Sequence, residues 1–218
     1  MDAIKVLHCA DLHFDDEQGR LQNTIECCGR VIATAQVEIP DLIAIAGDVF
    51  ERGLVLGSPG TLAAIDFVHR CGNVAPVVIT SGTPTHDAAN STEVFNRLKT
   101  EHPVYATGLP RQVGLTKEEP REFKEVSGNM EGKPELYLFV SCLPSLTKAA
   151  LAATGSRSID GAGIEYAELL RDLFQAWGIT NEKANGLGIP TILVGHGTVR
   201  AHDCRRDKGL PTRTPNLG

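Results

Sequence analysis

The chain has no excess of positive charge. Its 21 Lys and Arg face 27 Asp and Glu, a formal net charge of −6. Holding a polyanion by bulk electrostatics needs clustered cations, so that mode is disfavoured. No stretch approaches the roughly 18 apolar residues of a membrane span. The N-terminal apolar run, Ile4 to Cys9, is far too short for the core of a signal peptide. There is no internal repeat, no C-x-x-C pair and no regular cysteine framework. Four of the six cysteines (Cys9, Cys27, Cys28, Cys71, Cys142 and Cys204) sit in apolar or strand-like context. They read as reduced core thiols, which fits a cytoplasmic protein.

What is present is an ordinary globular composition: 218 residues, 42% hydrophobic and 22% charged. A chain of this size buries a core without staples. Short apolar runs alternate with helical patterns. The runs are Ile4–Cys9, Leu42–Ala46, Pro76–Thr80, Leu136–Cys142 and Pro190–Val194. Between them, Leu21, Ile25, Cys28 and Ile32 mark one helix face. Leu62, Ile65 and Val68 mark a second, Val94 and Leu98 follow a Ser91 N-cap, and Tyr166, Leu170, Leu173 and Trp177 mark the last. Continuous apolar runs separated by helices predict strands buried on both faces. The expected fold is layered α/β, with a central, mostly buried β-sheet flanked by helices. Residues 108–133 read as surface turns with a hairpin, and 149–163 as a mobile loop. Residues 1–198 form the expected domain. Residues 199–218 are basic and irregular, and read either as a tail of unrelated sequence or as the start of a segment that was cut off.

A pattern recurs where the runs end. The first delivers Asp11-Leu12-His13, the second Gly47-Asp48, the third Gly82-Thr83-Pro84-Thr85-His86-Asp87, and the last Gly195-His196. In open α/β sheets, ligands bind at that carboxyl edge. Carboxylate oxygen together with imidazole nitrogen suits divalent ions such as Mn, Fe or Zn. Asp-x-His beyond a strand is expected to send both side chains to one face, because alternate residues share a face. Two ions about 3.5–4 Å apart clamp a phosphate and activate water. A histidine that is not a ligand can protonate the leaving group. Asp15, Asp16 and Glu17 read as a solvated loop, and His8 as a packing residue.

These motifs resemble the calcineurin-like metallophosphoesterase superfamily. Leu7-His8-Cys9-Ala10-Asp11-Leu12-His13-Phe14, Gly47-Asp48-Val49-Phe50-Glu51-Arg52, the Pro-Val-Val-Ile run and Cys142-Leu143-Pro144-Ser145 are similar to segments of SbcD-type DNA nuclease subunits, in order from about residue 4 to 199. The resemblance implies two divalent ions, Mn²⁺ first, with Fe or Zn as alternatives. It gives Asp11 and His13 to the first ion, Asp48 to both, and Thr85 and His196 to the second. His86 becomes the catalytic histidine, with Asp87 orienting it. The implied partners are DNA, an SbcC-like coiled-coil ATPase and a second copy in a homodimer, with no membrane.

Two departures stand out. The family's third motif usually reads Gly-Asn-His-Asp, with the Asn a ligand. Here Thr85 takes that position if His86 is aligned, a form similar to phage-like members. The family's closing Gly-His-x-His motif does not follow His196. The expectation is therefore a domain incomplete on its C-terminal side, with loose metal binding. Three functions follow. One is a nuclease that hydrolyses DNA phosphodiester bonds as an exonuclease. Another is a phosphoesterase for small phosphodiesters, nucleotides or phosphoproteins, which suits the acidic balance. The last is an inactive remnant that binds only metal or a partner.

Overall fold

The structure is a computed structural model and describes residues 3–53, 55, 57–126, 135–145 and 164–197, with side chains from 168 in the last segment. The expected loop at 149–163 and the expected tail at 199–218 lie outside the described residues.

The first sheet is all parallel. Its order is β1 (Val6–Cys9), β2 (Leu42–Ala46), β3 (Val77–Thr80) and β4 (Val104–Thr107). Helix α1 (Gln18–Glu38) links β1 to β2, and α2 (Pro59–Gly72) links β2 to β3. A second four-stranded sheet is mixed, in the order β6-β5-β7-β8. Its strands are β5 (Arg111–Thr116), β6 (Phe123–Glu125), β7 (Leu136–Leu143) and β8 (Thr191–Gly195), with α3 (Ile164–Gly186) before β8. Strand β5 is antiparallel to β6 and β7, while β7 is parallel to β8.

Side-chain alternation explains the layering. In β2 and β3, Ile43, Ile45, Val77 and Ile79 join the core under α1 and α2, with Ile32, Ala35, Phe67 and Val68. Their neighbours Leu42, Ala44, Ala46 and Val78 face the other way, onto Val113, Leu115, Leu138 and Val140 of the second sheet. Each such fully buried Val, Ile or Leu contributes about 1.5–3 kcal/mol. A third cluster, Phe139 with Leu136, Val126 and Ala184, seats α3 on the far side. The order of layers is helix, sheet, sheet, helix. The layered α/β expectation holds, with two sheets at the centre.

Several details differ from the sequence reading. Strand β1 is half-exposed because it is an edge strand paired only with β2, and His8 points to solvent. Ile25 and Leu62 are exposed, at 41% and 56%. Val68 is buried as expected, and Ala64, Phe67 and Cys71 complete the buried stripe of α2. Ser58, not a residue of the α2 pattern, caps that helix by accepting the Thr61 N–H. The helix expected after Ser91 is a short 3₁₀ turn, Thr92–Arg97, and Ser91 makes no side-chain cap. The hairpin expected within 108–133 appears as β5–β6. No helix among the described residues is long and apolar enough to cross a membrane.

Candidate metal centre

The carboxyl ends of β1, β2 and β3 meet the end of β8 at the seam between the sheets. His196 N–H donates to the Leu143 carbonyl, and its ring reaches across to the first sheet. There Nδ1 donates to the Ala46 carbonyl at 2.8 Å, which leaves Nε2 without a proton in the neutral ring. That Nε2 lies 3.4 Å from Asp48 Oδ2.

The first motif reaches the site by an unexpected route. Asp11 (φ 55°) and His13 (φ 49°) are both left-handed, as is Asp48 (φ 50°). Strand alternation therefore does not aim the Asp11–His13 pair. The loop is instead stitched to its neighbour by Asp11 N–H on Gly47 O, His13 N–H on Asp48 O, and Phe14 N–H on Val49 O. Non-glycine residues in this region cost energy, and such strain clusters at functional sites. Gly47 (φ 78°) supplies the turn before Asp48, and a Cβ there would stand 2.5 Å from the His196 ring.

Two groups of potential ligands result. His13, Asp48 and His86 form one, and Asp11, Asp48 and His196 the other, with ligand atoms within 4.8 Å of one another in each. Asp48, 6% exposed, belongs to both. His13 Nδ1 is buried without a hydrogen-bond partner. Glu51 Oε2 lies 3.0 Å away, an ion-pair partner for the ring when it is protonated. The His13 and His86 rings meet edge-on at 4.8 Å. An orphaned imidazole nitrogen, a shared carboxylate and a His196 ring with its Nε2 free fit divalent cations.

His86 is oriented by the main chain. Its Nδ1 donates to the Glu51 carbonyl at 2.7 Å. No hydrogen bond joins Asp87 to His86. Asp87 instead accepts the N–H groups of Phe50 (3.0 Å) and Gly82 (2.7 Å), tying the third motif to the second. Burial pushes its carboxyl above the usual range, and the nearby Asp48 charge adds to that. The N–H donors of Gly82, Phe50 and Val49 partly offset the rise.

Thr85 is exposed. Thr83, passed over in the sequence reading, is the threonine at the carboxylate: its N–H and Oγ1 both donate to Asp48 Oδ1, at 2.6 and 2.8 Å. Asp15 is not a solvated loop residue. It is 4% exposed and pairs with Arg52 at 3.1 Å and Arg20 at 3.8 Å. Burial pushes its pKa up, and the Asp16 N–H and Arg52 outweigh that to hold it below the usual range. Asp16 remains exposed and accepts the Gly60 N–H at the start of α2. Arg20 also reaches Glu51 Oε1 at 3.5 Å, so this ion-pair network borders the His13 side of the site.

One buried carboxylate held in common by two ligand groups is the arrangement of a dinuclear hydrolase centre. The chain belongs to the calcineurin-like phosphoesterase family, whose pattern matches residues 4–209. It is accordingly a metal-dependent phosphoester hydrolase. No curated protein matches it.

Proposed function

We propose that this chain hydrolyses the phosphodiester bonds of DNA with two divalent ions, Mn²⁺ foremost, as an exonuclease of the SbcD type. The observation that carries the two-metal part is Asp48, common to both ligand groups. The resemblance of residues 4–199 to SbcD-type subunits supports the substrate. DNA and an SbcC-like ATPase are the partners that go with it.

Asp11, Asp48 and His196 would hold one ion, and His13 with Asp48 the other, a grouping that parts Asp11 from His13 where the family resemblance pairs them. Bound there, the ions supply Lewis-acid polarisation of the phosphoryl group and activation of water. The protein's own part is positional and protic. Ala46 O and Glu51 O fix the tautomers of His196 and His86 through their Nδ1 atoms. His86 then presents Nε2, and in its protonated form delivers that proton to the leaving oxygen.

The test is Mn²⁺-dependent digestion of linear DNA, with metal content measured in parallel. His86→Ala should lose turnover by about 10²–10⁴-fold and keep its metal. Unchanged turnover would remove His86 from the chemistry. A lower ion count would make it a ligand instead. The net charge of −6 favours a second reading, a small phosphodiester as substrate. Turnover of bis-p-nitrophenyl phosphate with none of DNA would establish that alternative.

A further inference from the structure

Asp48 serves two ligand groups with one side chain. Its Oδ2 faces His196 Nε2 at 3.4 Å. Its Oδ1 accepts both donors of Thr83, N–H at 2.6 Å and Oγ1 at 2.8 Å. A carboxylate oxygen has about two lone-pair directions, so Thr83 alone satisfies Oδ1. We infer that Thr83 is a positioning residue that pins the Asp48 carboxylate, holding Oδ1 occupied and leaving Oδ2 free on the His196 side for metal binding. The inference rests on the two-metal reading above.

The pin is itself held rigidly. Thr83 O accepts the N–H groups of His86 (2.9 Å) and Asp87 (2.8 Å), closing the turn. Asp87 in turn holds Gly82 N–H and Phe50 N–H. Gly82 presses so closely on Asp48 that an added Cβ would stand 2.0 Å from Asp48 N and Oδ1. Without the hydroxyl, the carboxylate is held by one N–H and can rotate. The fixed aim of Oδ2 is then lost, and both ligand groups that use Asp48 would hold an ion less well.

The experiment is titration of metal-free protein with Mn²⁺ by calorimetry, with electron paramagnetic resonance reading the magnetic coupling between neighbouring ions. Thr83→Ser keeps the donor and should bind within about twofold of wild type. Thr83→Val should weaken both binding steps by about tenfold, the worth of one hydrogen bond to a charged group, and diminish the coupled signal. Thr83→Ala makes the same deletion if the valine variant does not fold. Wild-type isotherms from Thr83→Val or Thr83→Ala would overturn the inference. So would a Thr83→Ser variant as weak as Thr83→Val, or weakening by Thr85→Val with none by Thr83→Val. A wild-type protein that binds no Mn²⁺ would overturn the two-metal reading, and this inference with it. Wild-type binding that is merely insensitive to Thr83 overturns the inference alone.

Discussion

Replacing Gly82 by alanine adds one carbon at the most crowded of the described glycines. Gly82 does not need glycine for its backbone angles, since its φ is not positive. It needs glycine for space, because the new Cβ would lie 2.0 Å from both Asp48 N and Asp48 Oδ1. Ordinary contact starts at 3.4 Å, so Asp48 or the turn must move by about 1.4 Å. Overpacking of this kind costs about 1–3 kcal/mol. The movement also breaks at least one Thr83 hydrogen bond to the Asp48 carboxylate, worth about 1.5–3 kcal/mol. Gly82→Ala should therefore lose about 3 kcal/mol of unfolding free energy in urea. It should also lose affinity for Mn²⁺ by about a hundredfold, because the shared ligand is the group displaced. Equilibrium urea denaturation without metal and calorimetric titration with Mn²⁺ read the two effects separately. A variant within about 0.5 kcal/mol of wild type, with an unchanged isotherm, would refute the steric argument.

Three further outcomes test other parts of the molecule. Ile39 ends α1 in a left-handed conformation (φ 44°) with its side chain 73% exposed, so it pays the backbone cost without burying its surface. Ile39→Gly should stabilise the fold by about 1 kcal/mol and raise Tm by about 2–4 °C, measured by thermal melting. The buried thiols give a pH signature. Burial pushes Cys9 up to about 11 and Cys28 and Cys142 up to about 12, and Cys71 is raised as well. Raised folded values mean that the unfolded chain ionises first. The stability these thiols contribute is complete below pH 9 and is lost as pH rises from about 9 toward 12. Urea midpoints across that range should fall. At pH 8, a thiol reagent should label exposed Cys27 well before Cys28, Cys71 and Cys142.

Much of the site was legible because its parallel strands, the buried β2 and β3 and the edge strands β1 and β8 alike, write themselves as short apolar runs. The residues just beyond such runs gather at one edge. Asp11, His13, Asp48, His86 and His196 were found that way, and the structure brings all of them to the seam between the sheets. Four things were not legible. The second sheet includes the short strands β5 and β6, whose charged and polar positions mask the alternation. The acceptors that orient His86 and His196 are the carbonyls of Glu51 and Ala46, and a backbone acceptor leaves no mark in residue type. Thr83 and Thr85 flank Pro84, and spacing from His86 favoured Thr85. The turn closed by His86 N–H and Asp87 N–H on Thr83 O is what brings Thr83 to Asp48. The aim of Asp11 and His13 depends on left-handed backbone that strand periodicity does not foresee.

Under the proposed function, Asp48 belongs to two ion sites at once. Saturating Mn²⁺ titration of wild type, His196→Ala and Asp48→Ala, with stoichiometry from calorimetry and elemental analysis, addresses that directly. The account predicts two ions per wild-type chain at whatever concentration saturates it, the loss of one in His196→Ala, and the loss of both in Asp48→Ala. A wild-type chain that saturates at one ion, or an Asp48→Ala variant that still binds Mn²⁺ as wild type does, would contradict it.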